Sequence, residues 1–202
     1  MPRDSKSKVG ETRFQMVKER HALLWEKAKA DGKVDERMIP LVEFIFSKPE
    51  YFTTTTCSGR ILLLNLDSKE LKKPDSFFAK WHEIPEFEEV WDSLGKKSSQ
   101  DLWFKQESFV MVIGTTSLEN AKKIMAICRN NGVKKAGIMA CEEGRFLVEI
   151  MGSHYLSFLA KQDSKVIIER EFFEKQFETA VKKLKMNWQM LDKLEKALKK
   201  EL

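Results

Sequence analysis

Apolar positions at the start of the chain recur at three- and four-residue steps. Phe14, Val17, Leu24 and Ala28 fall near one face, with His21 among them, and predict a helix over about 12–30. Thr12 and Gln15 have capping-box spacing and Gly32 supplies the stop. A second helix is predicted over 35–47, with Asp35 as its N-cap and Ile39, Val42 and Phe46 as its inner stripe. Pro40 falls in its first turns, where the ring is tolerated, and Pro49 lies just beyond its end.

The pattern then changes. Tyr51 to Cys57 is threonine-rich and β-branched, Ser58-Gly59 reads as a turn, and Arg60 to Leu66 is an apolar run ending at Asn65 and Asp67. Together they predict a hairpin. The segment from Leu71 leads into a short extended piece over 77–82, an acidic stretch over 83–89 and a polar linker over 95–99. A strand or a pair of short strands is predicted over 102–113. Ser117 then caps a helix running to Asn130, with Ala121, Ile124, Met125 and Cys128 inside and Asn131-Gly132 as its stop. A second hairpin joins 135–140 to 145–151 across Glu142-Glu143-Gly144, and a last apolar segment spans 155–160.

The two halves echo each other: helix, strand ending in cysteine, turn, Gly-Arg, apolar strand. The echo predicts duplicated α-β-β units that form one largely antiparallel sheet with helices packed on it, an α+β fold. From about Arg170 a long helix is predicted, with Phe173, Phe177, Val181, Leu184, Trp188, Leu191, Leu194 and Leu198 along one stripe. Its spacing fits a helix packed across the domain, the reading favoured here, and equally a coiled-coil arm that pairs two copies. The division expected is an α/β domain over 1–165 with an amphipathic helix over 166–202 appended.

Composition narrows the setting. The 202 residues carry 36 Lys and Arg against 31 Asp and Glu, a net charge of +5. That balance suits an acidic partner such as nucleic acid, and equally an ordinary lysine-rich protein. Arg3, Lys6, Lys8, Arg13, Lys18 and Arg20 gather near the start, a basic arm suited to a phosphate backbone. Three scattered cysteines, Cys57, Cys128 and Cys141, give neither a disulfide framework nor zinc-ligand spacing, which points to a reducing, cytoplasmic setting. No apolar run approaches the roughly 20 residues that cross a bilayer, so no membrane role is expected.

The common catalytic fingerprints are missing. There is no GxGxxG after a strand, no phosphate loop and no HExxH pair, and the three histidines have no metal-ligand spacing, so no metal is expected. Three segments stand out instead. Tyr51-Phe52-Thr53-Thr54-Thr55-Thr56-Cys57-Ser58-Gly59-Arg60 offers hydroxyls along a strand, a glycine that permits close backbone approach, and a fixed cation able to grip a carboxylate or phosphate. Four threonines in a row are also simply good strand formers. Lys80-Trp81-His82 joins a stacking plate to a residue that exchanges a proton near neutrality. Leu102-Trp103-Phe104-Lys105-Gln106-Glu107 puts Lys105 and Glu107 on one strand face.

These segments resemble the tRNA wybutosine-synthesizing protein 3 family. Its Tyr-Tyr/Phe-Thr-Thr-Ser-Ser-Cys-Ser-Gly-Arg motif reads here as Tyr51 through Arg60, and its Lys-Trp-His and Leu-Trp-x-Lys-x-Glu segments as Lys80–His82 and Leu102–Glu107. Lys33 to Glu36 with Ile39 to Leu41 resembles the family's lead-in, and Gly152 to Leu156 its Gly-Thr-x-x-Leu stretch. Thr55 and Thr56 replace the paired serines, Ser108 stands where the family often has proline, and Ser157-Phe158-Leu159 replaces Val-Pro-Leu.

The resemblance implies a compact α/β fold that is not Rossmann. It implies methyl transfer from S-adenosylmethionine to N4 of a tricyclic guanosine beside the anticodon of tRNA-Phe, a step of wyosine and wybutosine formation. Carried over residue by residue, it assigns Thr55, Thr56, Ser58, Arg60 and Trp81 to the cofactor. Cys57, Lys80, Glu107 and His154 go to the substrate, and His82 or Asp35 becomes the base that takes the N4 proton. The alternative is a non-catalytic tRNA-binding paralogue.

Overall fold

The protein is described by a computed structural model that covers residues 4–66 and 76–202, without the side chains of 4–9. Arg3, Lys6, Lys8, Asp67 and the segment beginning at Leu71 therefore lie outside the described residues. The chain forms two compact units, each assembled from separate stretches: 1–58, 109–153 and 189–202 in the first, and 59–108 with 154–188 in the second.

The first unit begins with α1 (Asp4–Ala30), followed by a 3₁₀ turn (Glu36–Met38) and α2 (Ile39–Ser47). β1 (Tyr51–Cys57), β5 (Val110–Thr115), β7 (Arg145–Met151) and β6 (Lys135–Glu142) form a four-stranded antiparallel sheet in that order. α4 (Leu118–Asn130) lies between β5 and β6 in sequence. Tyr51, Met111, Ile113, Val148 and Ile150 pack in one core with Val42 and Ile45 of α2 and Ala121, Ile124 and Cys128 of α4. Phe52, Val112 and Leu147 pack with Phe14 of α1 in a second, smaller one. Strand alternation explains this division, because neighbours along a strand point to opposite faces. Burial pushes the Cys128 thiol up to about 12, so it behaves as a small apolar core residue.

The second unit holds β2 (Arg60–Leu66), β3 (Phe77–Trp81), β4 (Asp101–Glu107), β8 (Leu156–Gln162) and β9 (Lys165–Val166), in the order β3-β2-β4-β8-β9, all antiparallel. Ile61, Leu63, Phe104 and Ala160 form its core with Val90 and Leu94 of α3 (Phe87–Gly95) and Phe173, Phe177, Ala180 and Leu184 of α5 (Arg170–Glu201). Leu62, Leu64, Leu66, Phe77 and Trp103 form a separate cluster. Lys161 is only 3% exposed, and its Nζ donates to the carbonyls of Leu94 at 3.0 Å and Lys96 at 2.7 Å. It thereby satisfies a carbonyl that the last turn of α3 leaves unpaired. The last turns of α5 belong to the first unit, where Leu191, Leu194 and Leu198 join the larger core.

The expected α+β class, antiparallel pairing and long C-terminal helix are all present, and among the described residues no strand pair has the parallel arrangement of a Rossmann sheet. The single sheet is corrected to two. The expected hairpin of β1 and β2 does not form: β1 pairs with β5, and β2 with β3 and β4. The backbone between them gives the reason. Of the two link residues Gly59 has positive φ, at 101°, and Ser58 does not, whereas the tight turns that suit paired strands need it at the first central position. The duplication falls with that hairpin, since only the second α-β-β stretch pairs with itself, β6 with β7 around Gly144 at φ 69°. Thr12 is no N-cap, because α1 already begins at Asp4, and Leu24 is exposed on its outer side. Two cations of the expected basic arm are committed to the fold. Arg13 pairs with Glu142 at 2.6 Å, and Lys18 donates to the carbonyls of Lys48 and Pro49.

His21 stacks on Phe52 with centroids 5.4 Å apart and planes 13° from parallel. Burial, followed by the charges of Arg20 and Arg145, holds its pKa below the ordinary 6.5. As pH falls through that ordinary value the unfolded chain takes up the proton before the native one, and native stability falls with it. The denaturation midpoint is expected to drop between pH 7.5 and 5.5, and His21→Gln to flatten that slope. A variant with the wild-type slope would remove His21 from the linkage.

Candidate active site

The ten-residue motif begins as β1. A bulge at Thr54 shifts the register, so Thr53 lies opposite Ile113 while Thr55 lies opposite Val112. Cross-strand partners share a face, so Thr55 and Cys57 point to the side of Val112 and Thr56 to the side of Met111. Thr53 is buried at 5% exposure, Thr54, Thr56 and Cys57 are half-buried, and Thr55 is exposed. The row of hydroxyls expected on alternate sides of a regular strand is thus re-phased in its middle.

Asp35 anchors the end of this strand. As N-cap of the 3₁₀ turn it accepts from the Arg37 N–H at 3.2 Å through Oδ1, and through Oδ2 it accepts from the Ser58 N–H at 2.7 Å. One carboxylate therefore starts a helical turn and fixes the peptide that leaves β1. Ser58 is 1% exposed, and its Oγ has no hydrogen-bond partner among the described residues. A buried hydroxyl left unpaired costs on the order of 1–3 kcal/mol, so such a group marks a place where a polar partner belongs.

In the second unit Arg60 stands directly opposite Glu107 across β2 and β4, and its Nε donates to the carboxylate at 2.7 Å. The guanidinium carbon lies 4.8 Å from the centre of the Phe77 ring. Lys80 also approaches that ring, at 5.6 Å. Trp81 is half-buried against the core, and its indole N–H donates to Glu89 at 2.6 Å. His82 is half-buried in the bend after β3. His154, half-buried before β8, accepts at its backbone carbonyl from Asn187 Nδ2 at 2.7 Å.

The structure thus joins Asp35 to Ser58 in the first unit and Arg60 to Glu107 in the second. It ties Trp81 to Glu89, sets Lys80 over Phe77 and ties the His154 carbonyl to Asn187. Sequence reading missed Phe77 and Glu89. Phe77 shares the extended segment that contains Lys80-Trp81-His82, and only the contact with Arg60 gives it meaning. Glu89 lies in a stretch read as merely acidic.

The sheets are antiparallel and among the described residues no dinucleotide-binding turn occurs, so the architecture is not doubly wound. Residues 13–200 match the family model described as Methyltransferase TYW3. The chain belongs to that family. It is 30% identical over 162 residues to the tRNA(Phe) 7-((3-amino-3-carboxypropyl)-4-demethylwyosine(37)-N(4))-methyltransferase 1 of Thermococcus kodakarensis, covering 80% of this chain and 82% of that protein. It is 29% identical over 177 residues to the tRNA wybutosine-synthesizing protein 3 homolog of Xenopus laevis, covering 84% and 70% of the two chains. The solved structure of the PH1069 protein from Pyrococcus horikoshii matches with a TM-score of 0.85 at 28% identity, over 92% of this chain and 94% of that one.

Proposed function

We propose that this methyltransferase uses S-adenosylmethionine to methylate N4 of a 4-demethylwyosine-type base in tRNA-Phe, in the cytoplasm. The observation that carries the reading is the family match over 13–200, which takes in every segment singled out from the sequence. Among the described residues no helix is long and apolar enough to cross a membrane. Bound, S-adenosylmethionine supplies an electrophilic methyl group and departs as the neutral thioether.

The residues present fit such a cofactor. The buried Ser58 hydroxyl supplies a polar contact, with Thr55 and Thr56 on the strand that ends just before it, and Arg60 offers a cation to a carboxylate. Trp81, its N–H already taken by Glu89, presents only its ring and acts by stacking. Cys57, Lys80 and His154 are assigned to the substrate side, while Glu107 is engaged by Arg60. N4 carries a hydrogen that must leave as the N–C bond forms, so a base must take that proton. His82 or Asp35 takes it, and Asp35 already accepts backbone N–H bonds through both oxygens.

The test is methyl transfer to tRNA-Phe bearing either 4-demethylwyosine or its 7-(3-amino-3-carboxypropyl) derivative, with nucleosides read by mass spectrometry. A gain of one methyl on one of these bases is the expected result, and it identifies the substrate. Retained tRNA binding without methylation of either base would instead point to a non-catalytic tRNA-binding paralogue.

A further inference from the structure

Resting on that reading, we infer that Glu107 and Phe77 are positioning residues that hold Arg60 as a preset clamp for one oxyanion, the carboxylate of the cofactor or a phosphate of the tRNA. Glu107 then serves the site through Arg60, in place of touching the substrate itself.

Arginine has two hydrogen-bonding edges. One contains Nε, and the other is formed by the two terminal nitrogens, the pair that matches the two oxygens of a carboxylate or phosphate. Glu107 occupies Nε at 2.7 Å from the adjacent strand. Phe77 supports the flat face of the guanidinium, its ring centre 4.8 Å from the guanidinium carbon. Among the described residues the terminal nitrogens make no hydrogen bond. The side chain is 20% exposed, buried enough to be held and open enough to be reached. An ion pair meant only to join β2 and β4 gains most when both carboxylate oxygens meet two N–H groups of the guanidinium. This one engages a single nitrogen and leaves the bidentate edge vacant.

The hydrogen bond and the charge of Glu107 pull in opposite directions on an incoming anion. The bond fixes the guanidinium, while the negative charge repels the ligand. Glutamine keeps an acceptor for Nε and drops the repulsion, whereas alanine removes both. The two substitutions therefore separate positioning from direct contact.

The experiment measures binding by calorimetry for wild type, Arg60→Ala, Glu107→Ala, Glu107→Gln and Phe77→Leu. The probes are S-adenosylhomocysteine, 5′-methylthioadenosine (which lacks the carboxylate) and unmodified tRNA-Phe, with circular dichroism to verify the fold. Glu107→Ala is expected to weaken one oxyanion ligand about tenfold, close to the effect of Arg60→Ala, and the double variant to be no weaker than Arg60→Ala alone. Glu107→Gln is expected to stay within about twofold of wild type, and Phe77→Leu to fall between. Loss of S-adenosylhomocysteine binding with 5′-methylthioadenosine unaffected assigns the clamp to the carboxylate, and loss of tRNA binding assigns it to a phosphate. In turnover, Glu107→Ala should raise KM for that same ligand with kcat little changed.

The clamp is overturned if Glu107→Ala binds every probe as wild type does. It is equally overturned if Glu107→Gln loses as much as Glu107→Ala, since the carboxylate would then be needed for its own charge. Wild type that binds neither S-adenosylhomocysteine nor tRNA would sink the function and the clamp together. A binding wild type with indifferent variants would sink the clamp alone.

Discussion

Gly114→Ala is expected to lower the unfolding free energy by about 3 kcal/mol, the upper part of the range for overpacked cores. For a chain of this length that is a fall of roughly 6–12 °C in the melting midpoint. Gly114 lies opposite Phe52 across β1 and β5. A Cβ at position 114 would meet the Phe52 ring at 2.1, 2.3 and 2.6 Å. The ring has no room to retreat, since it is fully buried with Phe14 tilted against it at 5.4 Å and His21 stacked on it at 5.4 Å. Alanine in a strand recovers only about 0.5–1 kcal/mol of chain entropy relative to glycine, too little to offset the clash. Gly137→Ala in β6 is the control, because nothing lies within 4 Å of a Cβ there. A shorter side chain at position 52 should rescue the variant, so Phe52→Leu with Gly114→Ala should lose less than the sum of the two singles. A change below about 2 °C, or strict additivity with Phe52→Leu, would show that the ring is free to move.

What the sequence made legible follows the range of each interaction. α4 was readable because its signals are local: Ser117 accepts from the Asn120 N–H, Ala121, Ile124 and Cys128 face inward, and Gly132 takes φ 86° beyond its end. The β6–β7 hairpin is likewise closed by its own turn at Gly144. Asp35 as N-cap was equally local. Its second bond, to a peptide 23 positions along the chain, has no local signature. The partner of Arg60, 47 positions away, is hidden in the same way. β1 and β2 were misjoined because a two-residue Ser-Gly link imitates a hairpin turn, while the strands find their partners far away in sequence. α3 was missed for a different reason. Its Phe87, Val90, Trp91 and Leu94 recur at helical spacing, but the surrounding glutamates drew the stretch toward a solvated linker. There the pattern was present, and composition outweighed it.

His82→Ala is expected to slow methyl transfer by about 100-fold or more, the usual worth of a positioned proton acceptor, while tRNA affinity stays within about twofold. A neutral nitrogen that accepts a methyl group becomes cationic unless its hydrogen leaves, and a base that removes it in the transition state lowers the barrier without tightening the ground-state complex. A general base has to be unprotonated to act, so wild-type kcat should climb with pH. His82→Ala should lose that climb as well as the rate, and an exogenous imidazole should restore part of both. His82→Gln keeps a polar side chain without a comparable base and should be as slow as alanine. Asp35→Asn is the counter-test. Its carbonyl oxygen still accepts one of the two backbone N–H bonds, from Arg37 or Ser58, so a structural Asp35 predicts a partial loss with the pH profile unchanged. A flat pH profile in Asp35→Asn with the climb intact in His82→Ala would transfer the base to Asp35. Near-wild-type turnover in His82→Ala would mean that solvent takes the proton and that alignment of nitrogen and methyl carries the rate.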